Sequence, residues 1–409
     1  MKKSHSYKDL TLALIAIFVV SFFIRIIWVF HLAPDFPNAL GGANWLLNPS
    51  IEPIPQGGIV SPDFNQVYDP NARMLAEGKG FSNLDGSPTA YVGPGYSFFL
   101  SIIYKTFGIN LDTVRIFQIF LDSISACMIA LVCFLLRSNH QESVLTGVLY
   151  AIHPFIFYQT GLLISESLFT FLLIAYFLFL FLGIKSKDNH LIFLILCGIF
   201  LGLASLTRPN GIILILTLPI LVILFKEFRQ KEYIYSFMVI STGLVLVVGP
   251  WILRNYIIFD QFIPISSIVF NTVEDTTGPA SGLLDLIYKK FYVAFTDINY
   301  LINVYLLAPL KIWAQTGSKA YDFYLSLISY PMIIISLYGL FTAIKNDNQK
   351  MSTLLFISVM IFVFGLIFFT KNMLTRYVVP IMPIILIFVS IAFSKLYYLI
   401  KKTQNESLN

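Results

Sequence analysis

Five charged side chains stand out in a chain that carries few. They are Asp63 in SPDFNQVYDP, Glu166 in LLISESLF, Arg208 in SLTRPNG, Arg254 in ILRNY and Arg376 in LTRYVVP. A carboxylate within reach of an attacking hydroxyl can take its proton. An arginine grips phosphate through a planar fork of N–H donors and stays charged at any relevant pH. One or two carboxylates facing several arginines therefore suit chemistry on an anionic group. Asp63 sits in the longest polar, Gly- and Pro-punctuated stretch, Ser61–Gly95, which also holds Tyr68, Asp69, Glu77, Asp85 and Tyr96 within or beside it. Each candidate has a plain structural reading as well. Asp63 after Pro62 suits a turn or a cap, Glu166 suits a helix N-terminus, and the arginines suit anchors among lipid head groups.

The elements that must position these residues are apolar. Of 409 residues, 57% are aliphatic, aromatic or Cys and only 12% are charged, and the mean hydropathy is +0.78. A soluble chain of this size cannot hide so much apolar surface, so lipid is the solvent for most of it. In hydrocarbon the backbone must satisfy itself, which predicts an all-α, polytopic integral membrane protein. About ten spans are expected, near 10–31, 113–136, 144–161, 163–184, 190–206, 210–226, 233–253, 322–344, 351–370 and 377–398. The first reads as a retained signal-anchor, because no small-x-small cleavage site follows it. Cys127, Cys133 and Cys197 all lie inside apolar runs, which leaves them no loop in which to form a disulfide or zinc cluster.

Lysine and arginine set the expected orientation. With both termini inside, the short inner pieces hold Lys2, Lys3, Lys8, Arg137, Lys185, Lys187, Lys226, Arg229, Lys231, Lys345, Lys350, Lys395, Lys401 and Lys402. The whole chain, 1–409, then reads as one membrane domain with two large outer loops, 32–112 and 254–321. Pro94–Gly108 is apolar but about 22 Å long as a helix, too short to cross, with Pro94 in its first turn and Gly108 as its cap. Ile298–Trp313 reads as a second interfacial piece, and Lys289-Lys290 as the basic face of a surface helix touching anionic lipid. Arg25, inside the first span, either snorkels or pairs with a buried acid. Asp112 reads as the N-cap of the second span, Asp122 within it has no assigned partner, and His153 reads as a packed helix-end residue.

With that topology, Arg25, then PDFNQVYDPNARMLAEGKGFS, SPTAYVGPGYSFFLSIIYKTFG, AIHPFIFYQTGLLISESLF and SLTRPNG run in the order of a known family. The chain resembles polytopic glycosyltransferases that use a polyprenyl-phosphate sugar donor. These are the protein mannosyltransferase and lipid A aminoarabinose transferase relatives with the GT-C fold. RYVVPIMP is a weaker echo near the end. The resemblance implies that Asp63, which precedes Tyr68, is the catalytic base, with Asp69 as a rival. It implies that Glu166 shapes the catalytic pocket, at a position that in some relatives holds or replaces a metal. A divalent metal is therefore open, and no other cofactor is implied. Tyr91-Val92-Gly93 stand where the aminoarabinose branch has a Glu-Lys pair, which shifts donor phosphate binding to Arg208, Arg254 and Arg376.

The resemblance further implies an inverting transfer to an acceptor hydroxyl at the extracytoplasmic face of a plasma membrane. The partners would be the lipid-linked donor and a glycan, lipid or protein acceptor. Two other classes share parts of the pattern. A lipid-linked oligosaccharide polymerase has two large outer loops and functional arginines, and usually lacks an acidic first-loop signature. A polyprenyl-lipid flippase or transporter calls for charges and broken helices at mid-membrane.

Overall fold

Because apolar runs dominate, the chain folds as helices packed side by side. The computed structural model describes residues 2–32, 64–186, 188–226, 229–271, 280–297, 302–303, 307, 311–314, 319–345, 349–369 and 375–407. Among the described residues the only extended pairing is an isolated bridge between Ser82 and Pro88. The helices are α1 (Lys2–Ile27), α2 (Asp69–Ala76), α3 (Gly95–Phe107), α4 (Leu111–Arg137), α5 (His140–Ile152), α6 (Pro154–Gly161), α7 (Glu166–Lys185) and α8 (His190–Thr207). There follow α9 (Thr217–Leu224), α10 (Lys231–Phe259), α11 (Leu283–Thr296), α12 (Lys319–Lys345), α13 (Gln349–Phe369) and α14 (Met382–Ser407).

Seven of the described helical stretches are long and apolar enough to cross a bilayer: Asp9–Leu32, Leu111–Arg137, Glu166–Lys185, His190–Thr207, Lys231–Phe259, Ser326–Lys345 and Val379–Glu406. Pro209–Leu224 and Lys350–Leu366 are apolar but shorter. The expected span 144–161 is two helices, α5 and α6, broken at His153. Pro154 denies the residue before it the helical conformation, and His153 is extended at φ −68°, ψ 118°. This is a multi-pass membrane protein.

Helix α7 is apolar on every side and is buried on most of them, between α4 and α8. Helix α8 in turn packs on α10, and the crossing is close. A Cβ on Gly198 would lie 2.1 Å from Ile240 O and 2.9 Å from Gly243 Cα. Gly198 and Gly202 stand one turn apart on this face, the small-xxx-small arrangement that lets membrane helices touch along their backbones. On the other flank α14 lies against α5 and α12.

Two charges inside the spans find each other. Arg25 of α1 donates its Nε to Asp122 of α4, and its Nη1 to Ser21 O at 3.2 Å and Ala151 O at 3.1 Å. Tyr150 and Thr160 donate to the same carboxylate. The pair therefore joins α1, α4, α5 and α6 within the apolar slab, and of the two readings of Arg25 the structure takes the second. Asp112 is corrected: Asn110 caps α4, its side chain accepting from the amides of Asp112 and Thr113 at 2.9 and 3.1 Å.

The polarity of α11 is also corrected. Lys290 is buried, and Lys289 turns to Asp285 at 3.2 Å. The exposed stripe is Leu284, Ile287, Tyr288, Phe291 and Tyr292. It is the apolar face, and not the lysine pair, that this helix shows outward. Ile298–Trp313 falls largely outside the described residues.

Candidate active site

Glu166 owes its place to a short connector. Helix α6 stops at Gly161, Leu162–Ser165 turn the chain, and Glu166 is the first residue of α7. A carboxylate there faces the positive end of the helix dipole, yet it is only 3% exposed and needs a counter-charge. Arg208 supplies it, its Nη1 lying 2.5 Å from Glu166 Oε1. Pro209 explains why Arg208 is free to do so. It forces the residue before it out of the helix, and Arg208 is extended at φ −143°, ψ 124° between α8 and the 3-10 stretch Pro209–Leu216. The first-loop backbone presses on this corner. A Cβ on Gly93 would meet Leu206 O at 2.3 Å, so only glycine allows the approach.

A third segment closes the cluster. The 3-10 turn Thr375–Tyr377 brings Tyr377 beneath two guanidinium groups. Arg208 Cζ lies 5.2 Å and Arg376 Cζ 5.0 Å from its ring centroid, and Arg376 Nη2 donates to Tyr377 Oη at 3.2 Å. Burial alone would lower the Arg208 pKa. Glu166 above all, with Tyr68 and Tyr377, turns the balance upward and keeps the guanidinium charged. The first loop arrives from the other side. Tyr68 Oη is 3.4 Å from Ser165 Oγ, which is 3.5 Å from Glu166 Oε2. Tyr96 packs edge-on against Tyr68, with centroids 5.1 Å apart. One carboxylate, two arginines and three tyrosines, drawn from four separate stretches of chain, thus share one end of the bundle.

The remaining candidates fall elsewhere. Asp63 lies outside the described residues; the chain becomes described at Phe64, which is buried. Asp69 has both carboxylate oxygens engaged. Tyr104 Oη donates to one at 2.6 Å and Arg73 Nε to the other at 2.7 Å. Burial first, and then this aspartate, push the Tyr104 phenol well above its ordinary range.

Arg254 is likewise committed. Its Nη1 donates to Thr89 O at 2.7 Å and Asn255 Oδ1 at 2.9 Å, and its Nη2 to Phe81 O at 2.8 Å. It ties residues 81–90 of the first loop to α10. The amides of Ser267 and Ile268, bonded to Ala90 O and Tyr91 O, extend the same seam. Tyr377 went unnoticed in the sequence, although it adjoins Arg376. Its signal is an aromatic ring beside a basic residue at a helix mouth.

A divalent cation beside Glu166 does not fit these residues. The carboxylate already faces Arg208, with Arg376 close by, and a cation would sit between like charges. Among the described residues no three His, Cys, Asp or Glu side chains gather into a ligand set.

The model of the dolichyl-phosphate-mannose-protein mannosyltransferase family matches residues 91–252, a stretch that holds Glu166 and Arg208. No curated protein sequence matches the chain. Among solved structures it is similar to ArnT from Cupriavidus metallidurans bound to undecaprenyl phosphate. That TM-score is 0.58 at 14% identity, over 94% of this chain and 60% of that one. It is also similar to the archaeal oligosaccharyltransferase AglB from Archaeoglobus fulgidus in complex with an inhibitory peptide and a dolichol-phosphate. Here the TM-score is 0.60 at 12% identity, over 96% of this chain and 52% of that one. The chain thus spans less than two thirds of the length of either. Its fold is that of the GT-C membrane glycosyltransferases.

Proposed function

We propose that this protein transfers a sugar from a polyisoprenyl-phosphate donor to an acceptor hydroxyl, with inversion, at the extracytoplasmic face of a plasma membrane. The observation that carries the reading is the convergence of Glu166, Arg208 and Arg376 on Tyr377 beside the first loop. The family model over residues 91–252 supports it, as do the lipid phosphates bound by the two similar structures. Glu166, Arg208 and Arg376 gather at one end of the bundle, while the Arg25–Asp122 pair inside the spans is taken up by Tyr150 and Thr160. This favours the transferase over a transporter, whose working charges belong near mid-membrane.

The donor's tail lies between helices and its head reaches the cluster. The acceptor oxygen attacks the anomeric carbon from the face opposite the phosphate. A new C–O bond forms as the bond from that carbon to the phosphate oxygen breaks, and the acceptor proton passes to Asp63. The bonding pair leaves on the lipid phosphate, a good leaving group that needs no general acid. Arg208 and Arg376 meet the charge that grows there. Glu166 fixes the orientation of Arg208, so no reorganisation is needed at the moment of reaction.

The test is reconstitution in lipid nanodiscs with a panel of labelled polyprenyl-phosphate sugars, reading release of polyprenyl phosphate. Asp63→Asn and Arg208→Gln each lower the rate by about a hundred-fold or more, with the protein still in the membrane. Near-normal turnover by Asp63→Asn moves the base to another residue. Intact donor crossing a vesicle membrane without bond cleavage refutes the transferase and identifies a carrier.

A further inference from the structure

Gln118 lies in the membrane-length helix α4, fully buried, and the proposed transfer makes no direct use of it. Every polar atom of its amide is nonetheless engaged. Oε1 accepts from Tyr96 Oη at 2.5 Å, and Nε2 donates to Thr160 O at 3.0 Å and Leu162 O at 2.9 Å. Rotating the amide by half a turn would set its oxygen against two carbonyl oxygens, so the network admits one orientation. Thr160 O belongs to the last turn of α6, whose carbonyls have no partner within the helix. Gln118 therefore caps that helix from the side.

Two routes run from Gln118 to Glu166. Along the chain, Leu162 is four residues ahead of it. Through space, Tyr96 packs on Tyr68, and Tyr68 Oη reaches Ser165 Oγ beside the Glu166 carboxylate. Ser97, next to Tyr96, also donates to Tyr68 O at 3.1 Å. Tyr68 ends the turn Phe64–Tyr68, which begins one residue after Asp63 in the chain.

We infer that Gln118 is a positioning residue: by holding Tyr96 with one end of its amide and the Thr160–Leu162 backbone with the other, it sets the first loop and Glu166 in register. The inference rests on the transferase reading only for its catalytic consequence, since the clamp itself is measurable without substrate. Arg115, Gln118 and Asp122 fall on one face of α4, and all three are buried. Asp122 serves the Arg25 pair, while Gln118 is bonded to both the first loop and the α6–α7 connector.

Hydrogen exchange by mass spectrometry, on the full chain in nanodiscs, tests it. Gln118→Leu speeds exchange at the Leu162 and Ile164 amides and in the Phe64–Tyr68 turn by about ten-fold or more, with α8 and α10 unchanged. Tyr96→Phe, which keeps the ring packed on Tyr68 and loses only the hydroxyl bonded to Gln118, loosens the Phe64–Tyr68 turn alone. In the transfer assay Gln118→Leu lowers kcat by about ten- to a hundred-fold and leaves the donor KM within about two-fold, because alignment is lost and donor binding is not. Unchanged exchange at both segments in both variants overturns the inference, and so does a uniform rise across all helices. Should the wild type cleave no donor, the proposed function fails while the exchange result still decides the clamp.

Discussion

Replacing Glu166 with Gln keeps the shape of the side chain and removes its charge. Arg208 is then left 17% exposed, at the Tyr377 ring it shares with Arg376, without the carboxylate that faces it. Two unit charges about 4 Å apart interact by about 4 kcal/mol at an effective dielectric near 20. Removing one partner of a buried pair typically costs about 3–5 kcal/mol, while an exposed pair is worth about 1 kcal/mol or less. The burial of Glu166 places this pair in the first class. Glu166→Gln and Arg208→Met are therefore each expected to destabilise by about 3–5 kcal/mol. The double variant, which strands neither charge, recovers most of that loss and remains inactive. Unfolding in mixed micelles, followed by intrinsic fluorescence, ranks the four proteins. A cost below about 1 kcal/mol for Glu166→Gln, or a double variant less stable than the worse single one, would refute the buried pair and the orienting role given to Glu166.

Gly93→Val drives a side chain into Leu206 O and displaces the Arg208 corner, so donor cleavage falls by about a hundred-fold. Gly282→Ala, where a Cβ meets nothing within 4 Å, leaves the rate unchanged. Arg254→Ala frees residues 81–90, seen as new protease cleavage there with the spans intact. Arg254→Lys does not restore protection, because a single ammonium cannot span both carbonyls as the guanidinium fork does. Tyr292→Trp on the exposed stripe of α11 gives fluorescence quenched by brominated lipid; quenching by aqueous iodide instead would place that face in water.

Much of the fold was legible because its signals are local. Runs of apolar residues imply membrane helices whatever their neighbours. Pro154 and Pro209 fix the backbone of the residues before them wherever they occur. His153 reads as a packed helix end and is one, the buried C-cap of α5, yet the apolar run around it reads through as a single span, 144–161. The meeting of Glu166 with Arg208 was half legible: both residues mark helix ends expected at one face, but nothing local says that they touch. Asp69 and Arg254 show the limit most clearly. As residue types both suit chemistry, yet Tyr104, Arg73 and the carbonyls of Phe81 and Thr89 already occupy them.

By itself, the order of residues determined that this chain crosses a membrane as helices and which of its rare charges stand at helix ends, for hydropathy and proline act over a few residues. Tertiary structure alone decided the partners. It joined Arg25 to Asp122, gave Arg208 and Arg376 one tyrosine to share, buried Lys290 of α11, and put Gln118 between Tyr96 and the α6–α7 connector. Such pairings depend on which helix faces meet in three dimensions, and periodicity within one helix leaves that undetermined.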